Sequence, residues 1–537
     1  MNRDYDVIII GGGATGAGVA RDCALRGIKA LLIERHDIAT GATGRNHGLL
    51  HSGARYAVND HESAVECIKE NMILRRIASH CVEDTGGIFI SLPEDGLDFQ
   101  AKFIESCLAA GISAEAIDPK QAIALEPSVN PTLIGAVKVP DGSVDPFRLT
   151  AANIMDARLH GAEILTYTRV DELIMESGRV VGVKTTNTIT GEKGEYRARI
   201  TVNACGIWGR DLAAKAGVTI NMLPAKGALL VFGHRVNNVV INRCRKPADA
   251  DILVPGDNIT VIGTTSSKVP FDQCDDMYVT REEVDLLLRE GSMLAPALNH
   301  TRILRAYAGV RPLVASDDDP SGRSVSRGIV VLDHATRDGV EGFVTITGGK
   351  LMTYRLMAEW TVDLICKKLS IDAKCTTAES LLPGSSTSSS DCKRTAVCDC
   401  GSKSSAFYRH GTKAENIDSS TNAKRALVCE CEQVSVGEVE YAVKELNINN
   451  LVDLRRRTRM GMGTCQGSLC ACRAASVMAG ASKKESIHAK ADLKNFIAER
   501  WKGMSAVAWG DTLREGELLS WLYDGVCDLS NLKSEEK

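Results

Sequence analysis

Asp6-Val-Ile-Ile-Ile-Gly-Gly-Gly-Ala-Thr-Gly16 decides the fold of the first half of this 537-residue chain. Four consecutive apolar residues, Val7 to Ile10, read as a parallel strand buried on both faces. Glycines follow at once, then a helical stretch from Ala14 to Arg26, then a second apolar strand, Ala30–Ile33, ending in Glu34. This is the strand–turn–helix–strand setting that gives a G-x-G-x-x-G pattern meaning. Gly11 permits the tight turn, Gly13 lets the backbone approach a pyrophosphate, and Gly16 lets the helix lie close on the sheet. The helix N-terminus then offers free N–H groups and a positive dipole end to phosphates, and Glu34 stands where a carboxylate accepts hydrogen bonds from a ribose. The alternative, a glycine-rich turn without a ligand, leaves the helix and the acid unexplained.

The rest of the chain separates FAD from NAD. A second small-residue loop, Thr40-Gly-Ala-Thr-Gly-Arg-Asn-His-Gly-Leu-Leu50, follows soon after the ribose acid. Thr40, Thr43 and Arg45 in it are candidate cofactor contacts. Val202-Asn-Ala-Cys-Gly206 and Phe343-Val-Thr-Ile-Thr-Gly-Gly-Lys350 are further strands entering glycine turns, the latter opening a helix to Leu369. Such returns suit a long ligand crossing the whole domain, which is FAD. Amides at Gly348 and Gly349 are candidates to stabilise negative charge on a reduced flavin, and Thr347 is expected to cap that helix. Hairpins predicted between Gly178 and Ala204, with short strands at Asp251–Val254 and Thr260–Thr264, are assigned to an inserted antiparallel β layer facing the substrate.

Composition excludes several classes. A net charge of −4 argues against nucleic acid as a partner. With 44% hydrophobic and 25% charged residues the chain is ordinary for a globular protein. The apolar strand at Val7 leaves no room for a signal peptide, and no run of about 18 apolar residues predicts a membrane span. Eleven of the 18 cysteines lie from Cys366 onward. Without a secretory signal, they point to thiols and metal ligands rather than disulfides, and to a cytosolic enzyme.

Cys429-Glu-Cys431 and Cys465-x4-Cys470 supply four thiolates, the donor set of a [2Fe–2S] centre. Zinc is the rival, though structural zinc sites usually separate paired ligands by two residues or more. Amphipathic helices are expected at Ser435–Leu446 and from Leu451. Cys472 lies close enough in sequence to compete as a ligand. Cys392, Cys398 and Cys400 sit in a setting that reads as linker. Arg455, Arg456, Arg457 and Arg459 read as a solvated basic face, or as a charge that offsets the cluster or docks a partner. Trp501, Trp509 and Trp521 in the tail suit either an interface or packing on the chain's own body.

Leu50-His-Ser-Gly-Ala-Arg-Tyr56, Ile241-Asn-Arg-Cys-Arg-Lys-Pro247, Ala308-Gly-Val-Arg-Pro-Leu313 and Thr347-Gly-Gly-Lys-Leu-Met-Thr-Tyr-Arg355, with the N-terminal glycines, resemble the FAD-dependent glycerol-3-phosphate dehydrogenases. With the cysteine module, which resembles the [2Fe–2S] domain of bacterioferritin-associated ferredoxins, the chain is similar to the anaerobic bacterial branch over nearly its whole length. The resemblance implies oxidation of sn-glycerol 3-phosphate to dihydroxyacetone phosphate on FAD. It further implies a second catalytic subunit (B), a membrane-anchoring iron–sulfur subunit (C), and delivery of electrons to menaquinone, with fumarate or nitrate as terminal acceptor. A peripheral location on the cytoplasmic face of the inner membrane follows. FMN is implied for the complex, but no second flavin motif is evident in this chain. Arg55, Arg311 and Arg327 match phosphate-binding positions, and guanidinium forks suit a phosphate dianion. His51 and Lys350 are the candidate bases for the hydroxyl proton, and Tyr56 is a candidate for orienting the glycerol backbone. A family histidine expected in the strand after Gly227 is missing here, and His234 is the nearest substitute. The alternatives are an oxygen-reactive flavin oxidase of related fold and a non-enzymatic electron-transfer adaptor.

The expected architecture is α/β. A Rossmann-like FAD-binding and substrate domain spans 1–375, with its inserted antiparallel layer. A Ser/Thr/Cys-rich linker covers 376–425, a helical [2Fe–2S] domain 426–482, and a helical tail 483–537.

Overall fold

The computed structural model describes residues 3–314, 328–385, 405–410, 413–414, 417, 422–483 and 486–530. The first strand, β1 (Arg3–Ile10), is central: it pairs in parallel with β2 (Ala30–Ile33) on one side and with Lys193–Asn203 on the other. Val7 and Ile9 face a core shared with the helices Ala14–Leu25, Pro146–Leu159 and Tyr354–Leu369. Ile8 and Ile10 face a second core containing Leu212, Met222 and Val310. Both faces of the strand are therefore dry, which is why its sequence runs apolar without alternation. Gly11 has φ +114°, and a Cβ at Gly16 would stand 1.9 Å from the Gly11 carbonyl oxygen. Turn and helix thus close on each other as the glycine pattern requires.

The predicted hairpins between Gly178 and Ala204 form, but belong to a different sheet. Thr168–Glu176, Arg179–Asn187 and Lys193–Asn203 are antiparallel neighbours in the nucleotide sheet. The reason is the length of the last strand. Its Ile200–Asn203 end is buried and runs parallel to Val7–Ile10, which carries the hairpin with it. The substrate-side layer is a nine-stranded sheet, antiparallel except where Val240–Arg243 meets Gly87–Ile90. It holds the expected strands at Ile252–Pro255 and Thr260–Gly263. Its longest ladder joins Met222–Phe232 to Ile303–Val314. The helix Arg281–Leu294 closes the back of this sheet, started by a reciprocal Thr280–Glu283 cap.

Residues 376–385 lie on the nucleotide-binding body: the Arg21 guanidinium donates to the carbonyl oxygens of Thr377 and Ser380, and Leu382 is buried. Beyond them, Arg409 and His410 bond Glu438 in the C-terminal module at 2.6 and 2.7 Å. That module packs Val436–Glu445, Leu451–Thr458 and Ala471–Ser482 around one core. The tail helices Ser486–Met504 and Gly510–Gly525 add Phe496 and Tyr523 to it.

Candidate active site

A cleft of about 1650 Å³ runs from the N-terminal glycines, between the two large sheets, to the loop after Gly348. Its lining includes Gly11, Gly13, Glu34, Thr40, Thr43, Arg45, His51, Arg55, Tyr56, Arg311, Gly348, Gly349 and Lys350. Gly16 stands behind it, packing helix to turn. Arg327 lies outside the described residues, as do Cys392, Cys398 and Cys400. His234 is exposed and does not line the cleft: it follows the end of the Met222–Phe232 strand, beyond the part that faces the cavity.

At the dinucleotide end, the Thr43 hydroxyl accepts the Ala14 N–H at 3.0 Å, so the second loop caps the first helix. Glu34 accepts from the amides of Gly12 (2.7 Å) and His36 (2.9 Å). Burial holds its carboxyl above the ordinary range despite those two donors. The length of the cleft, the bare backbone at Gly11 and Gly13, and this acid together fit FAD.

The other end is built on a braced loop. Asp141 accepts from both the amide and the hydroxyl of Ser52, each at 2.7 Å, and Asn71 donates to the carbonyls of Leu50 and His51. Gly53 turns with φ +95° where a Cβ would meet the Ala64 carbonyl oxygen at 2.4 Å. The turn delivers His51, buried, against Tyr56 with ring centroids 5.4 Å apart. Lys350 places its Nζ over the same ring, 4.5 Å from the centroid. Tyr56 is thus flanked by both candidate bases.

Arg55 donates to the Ala248 carbonyl (2.9 Å) and to Asp251 (3.2 Å), while its Nη1 is buried without a hydrogen bond among the described residues. Arg311 is held by the Thr264 hydroxyl and by the carbonyls of Thr265 (3.0 Å) and Lys226 (3.4 Å). Arg245, absent from the candidates that the sequence offers, also lines the cleft, anchored to Asp251 at 2.7 Å and Glu290 at 3.3 Å. Its place in Ile241–Pro247 is visible in the sequence, but its direction depends on pairing with a carboxylate six residues away.

Thr347 does not cap the following helix. Gly348 and Gly349 both have positive φ (75° and 64°), which turns the chain so that Lys350 becomes the cap residue; its amide donates to the Thr353 hydroxyl at 2.9 Å. The Gly349 amide donates to the Gly328 carbonyl at 3.0 Å.

In the C-terminal module the four predicted thiols meet. Among the described residues no three Cys, His, Asp or Glu side chains are grouped so as to hold a metal ion. Cys470 neighbours both Cys429 and Cys465, and Cys465 neighbours Cys431. Contact with Cys470 holds the Cys465 and Cys429 thiols below their ordinary value, Cys465 the more strongly. Amides of Gly461 and Glu432 reach Cys429, and those of Gly467 and Leu469 reach Cys465. Four thiols in contact, with amides turned to the sulfurs, fit a [2Fe–2S] centre. Cys472 is exposed and its sulfur lies 3.5 Å from that of Cys527, away from the quartet. Phe496 stands against Gly461 and Gly467, where added Cβ atoms would meet its ring at 2.8 and 2.5 Å.

The arginine run beside this loop is not a solvated face. Arg457 forms a two-pronged pair with Asp37 (2.5 and 2.9 Å) and Arg456 joins it at 3.1 Å. Arg459 binds Glu432, Asp257 and Asp145 at 2.9 to 3.1 Å. Burial pushes the Asp37 carboxyl up, but the neighbouring guanidiniums outweigh it and hold the group below its usual value. The same contact surface contains a Tyr167–Asp453 bond of 2.7 Å, and the Asn258 side chain donates to the Cys431 carbonyl at 2.7 Å. The basic run clamps the module onto the nucleotide-binding body.

Comparison with known proteins agrees with this construction. FAD dependent oxidoreductases match over residues 6–355 and the BFD-like [2Fe-2S] binding domain over 427–479. The A subunit of anaerobic glycerol-3-phosphate dehydrogenase from Haemophilus influenzae is 62% identical, over 98% of this chain and 94% of its own length. The Escherichia coli K12 protein of that name is 63% identical over 98% of each, and the A1 subunit from Haloferax volcanii 40% over 97% and 90%. Among solved structures, the glycerol-3-phosphate dehydrogenase from Bacillus halodurans, complexed with FAD, aligns over 95% of this chain and 97% of its own. Its TM-score is 0.68 and its identity 21%, a likeness of fold. Glycine oxidase from Geobacillus kaustophilus aligns over 68% of this chain and 95% of its own, with TM-score 0.56 and 22% identity, again in fold. With its dinucleotide glycines, braced His51 loop and cysteine quartet in these places, the chain belongs to the A subunits of the anaerobic glycerol-3-phosphate dehydrogenases, FAD-dependent oxidoreductases that carry a BFD-like [2Fe–2S] domain.

Proposed function

We propose that this chain oxidises sn-glycerol 3-phosphate to dihydroxyacetone phosphate and passes the electrons through its cluster and partner subunits B and C to menaquinone. The observation that carries this reading is one cleft that joins a dinucleotide cradle to a guanidinium clamp and a pair of candidate bases. Bound FAD supplies the hydride acceptor, and the [2Fe–2S] centre an outlet for single electrons. Arg55 and Arg311 hold the substrate phosphate, with Arg245 adding to the positive field; Arg327 is carried as a third clamp on resemblance alone. Tyr56 aligns the glycerol backbone. His51 takes the hydroxyl proton, with Lys350 as the alternative base.

FAD sits against Gly11, Gly13, Glu34, Thr40, Thr43 and Arg45, with the Gly348–Gly349 turn at the flavin end. For Gly349 to serve a reduced flavin, its amide must exchange the Gly328 carbonyl for the ligand. Cys429, Cys431, Cys465 and Cys470 hold the cluster. The relatives' names describe one subunit of a larger enzyme, which supports the partners. So do Trp521 (74% exposed) and Leu518 (66%) on the last helix, with Val526 (77%) just past its end, an apolar patch of the kind that marks contact surfaces. No described helix is long and apolar enough to cross a membrane, so peripheral attachment at the cytoplasmic face rests on those partners. FMN is assigned no place in this chain.

Anaerobic titration of the FAD- and cluster-loaded protein with sn-glycerol 3-phosphate tests the reading by visible and EPR spectroscopy. The flavin band is expected to bleach and the cluster signal to rise. Rapid turnover with oxygen alone would move the chain to the oxidases. Replacing Cys465 by Ser in the assembled complex should leave flavin bleaching intact and abolish menaquinone reduction; unchanged quinone reduction sinks the proposed route.

A further inference from the structure

A second cavity, of about 260 Å³, lies between the FAD cleft and the cysteine module. Arg45, Asn46 and His47 line both cavities, and Met462 and Gln466 come from the loop that carries Cys465. Arg45, Arg305 and Arg455 line the smaller one, and none of the three has a hydrogen bond or ion pair from its guanidinium among the described residues. Arg305 leaves Nε and Nη1 buried and unsatisfied, and Arg455 its Nε; Arg305 has only the face of Tyr307, 5.9 Å away.

The acids nearby are committed elsewhere. Asp37 serves Arg456 and Arg457, and Asp145 and Asp257 serve Arg148 and Arg459. Glu499 faces the group but is exposed to water. Burial accordingly pushes all three guanidiniums below their ordinary pKa. Half-buried cations with unsatisfied guanidinium atoms are costly, and a fold that sets Arg305 and Arg455 around one void, beside Arg45 of the FAD cleft, has a use for an anion there.

We propose that this cavity is a second phosphate site, separate from the substrate clamp, which takes inorganic phosphate or the phosphate head of a small phosphomonoester. Planar guanidiniums suit phosphate oxygens. The volume lies a little below the ~300 Å³ at which cavities begin to hold larger ligands, so the occupant is small.

The test is calorimetric titration of the FAD- and cluster-loaded protein at constant ionic strength, first with inorganic phosphate, then with glycerol 3-phosphate. Arg455→Met and Arg305→Met are compared with the unaltered chain. Each variant should weaken one phosphate site by about tenfold or more, since it removes a charge-assisted donor, and leave KM for glycerol 3-phosphate unchanged. A loss seen with inorganic phosphate assigns the site to the free ion; a loss seen only with glycerol 3-phosphate assigns it to a phosphomonoester. Without phosphate, both variants should unfold at a higher temperature than the parent, because an unpaired, half-buried charge is gone. Identical titrations in parent and variants overturn the proposal. So does a lower unfolding temperature in both variants, which would mean that the arginines only hold the fold.

Discussion

His51 and Lys350 both lie against Tyr56, and only one of them needs to take the proton. His51 has the more determined position: Asp141 and Asn71 fix its loop, and its side chain is buried. His51→Asn should therefore lower kcat by about 10²- to 10⁴-fold, the usual worth of a general base, with KM little changed. The variant should also lose the acidic limb of the kcat–pH profile. If Lys350→Met has the larger effect and His51→Asn keeps that limb, the roles are reversed. His51 was legible because it stands four residues before Arg55 in a glycine-punctuated loop. Asp141, which braces that loop from 89 residues away, carried no local signal, and the direction of Arg245 was equally invisible.

Helix Leu451–Thr458 carries the docking of the cysteine module. Its basic run read as a surface feature because charge patterning along a helix reports composition, not what faces it. Asp37 supplies the answer from three residues past the ribose acid, on the other side of the molecule in sequence. Asp37→Asn removes one partner of a buried ion pair and leaves Arg457 uncompensated, a change that typically costs about 3–5 kcal/mol. The expected outcome is earlier release of the module in urea and slower cluster reduction after flavin bleaching; an unchanged reduction rate would show that this clamp does not set the docked geometry. A second element-level contact responds to acid. Burial pushes the Glu438 carboxyl up, but Arg409 and His410 outweigh it and bring it down to about 2, against an ordinary 4.5. A carboxylate with a depressed folded-state pKa contributes stability that is complete above about pH 4.5 and is lost as pH falls towards 2. Glu438→Gln should destabilise the module at pH 7, and the difference from the parent should shrink through that window, followed by thermal unfolding between pH 3 and 7. A gap that stays constant with pH would remove the carboxylate from this account.

Across the whole molecule, two large sheets make one cleft, and a helical module closes against it with its cysteine loop toward the substrate-side sheet through Asn258 and Cys431. The tail splits the roles open to its tryptophans: Trp509 packs beside the substrate-sheet core under Arg281, while Trp501 and Trp521 remain exposed. Local chemistry was enough to read the nucleotide unit and to nominate the cysteine quartet and the guanidinium candidates, because strand burial, glycine turns and thiolate spacing are all expressed within a few residues. What tertiary structure alone decided was which sheet owns the Arg179–Asn203 hairpin, what the basic run faces, and that Arg45, Arg305 and Arg455 share one void. Those outcomes depend on pairings across as many as 420 residues, and the energy of a buried charge is set by the groups that surround it in space rather than by its neighbours along the chain.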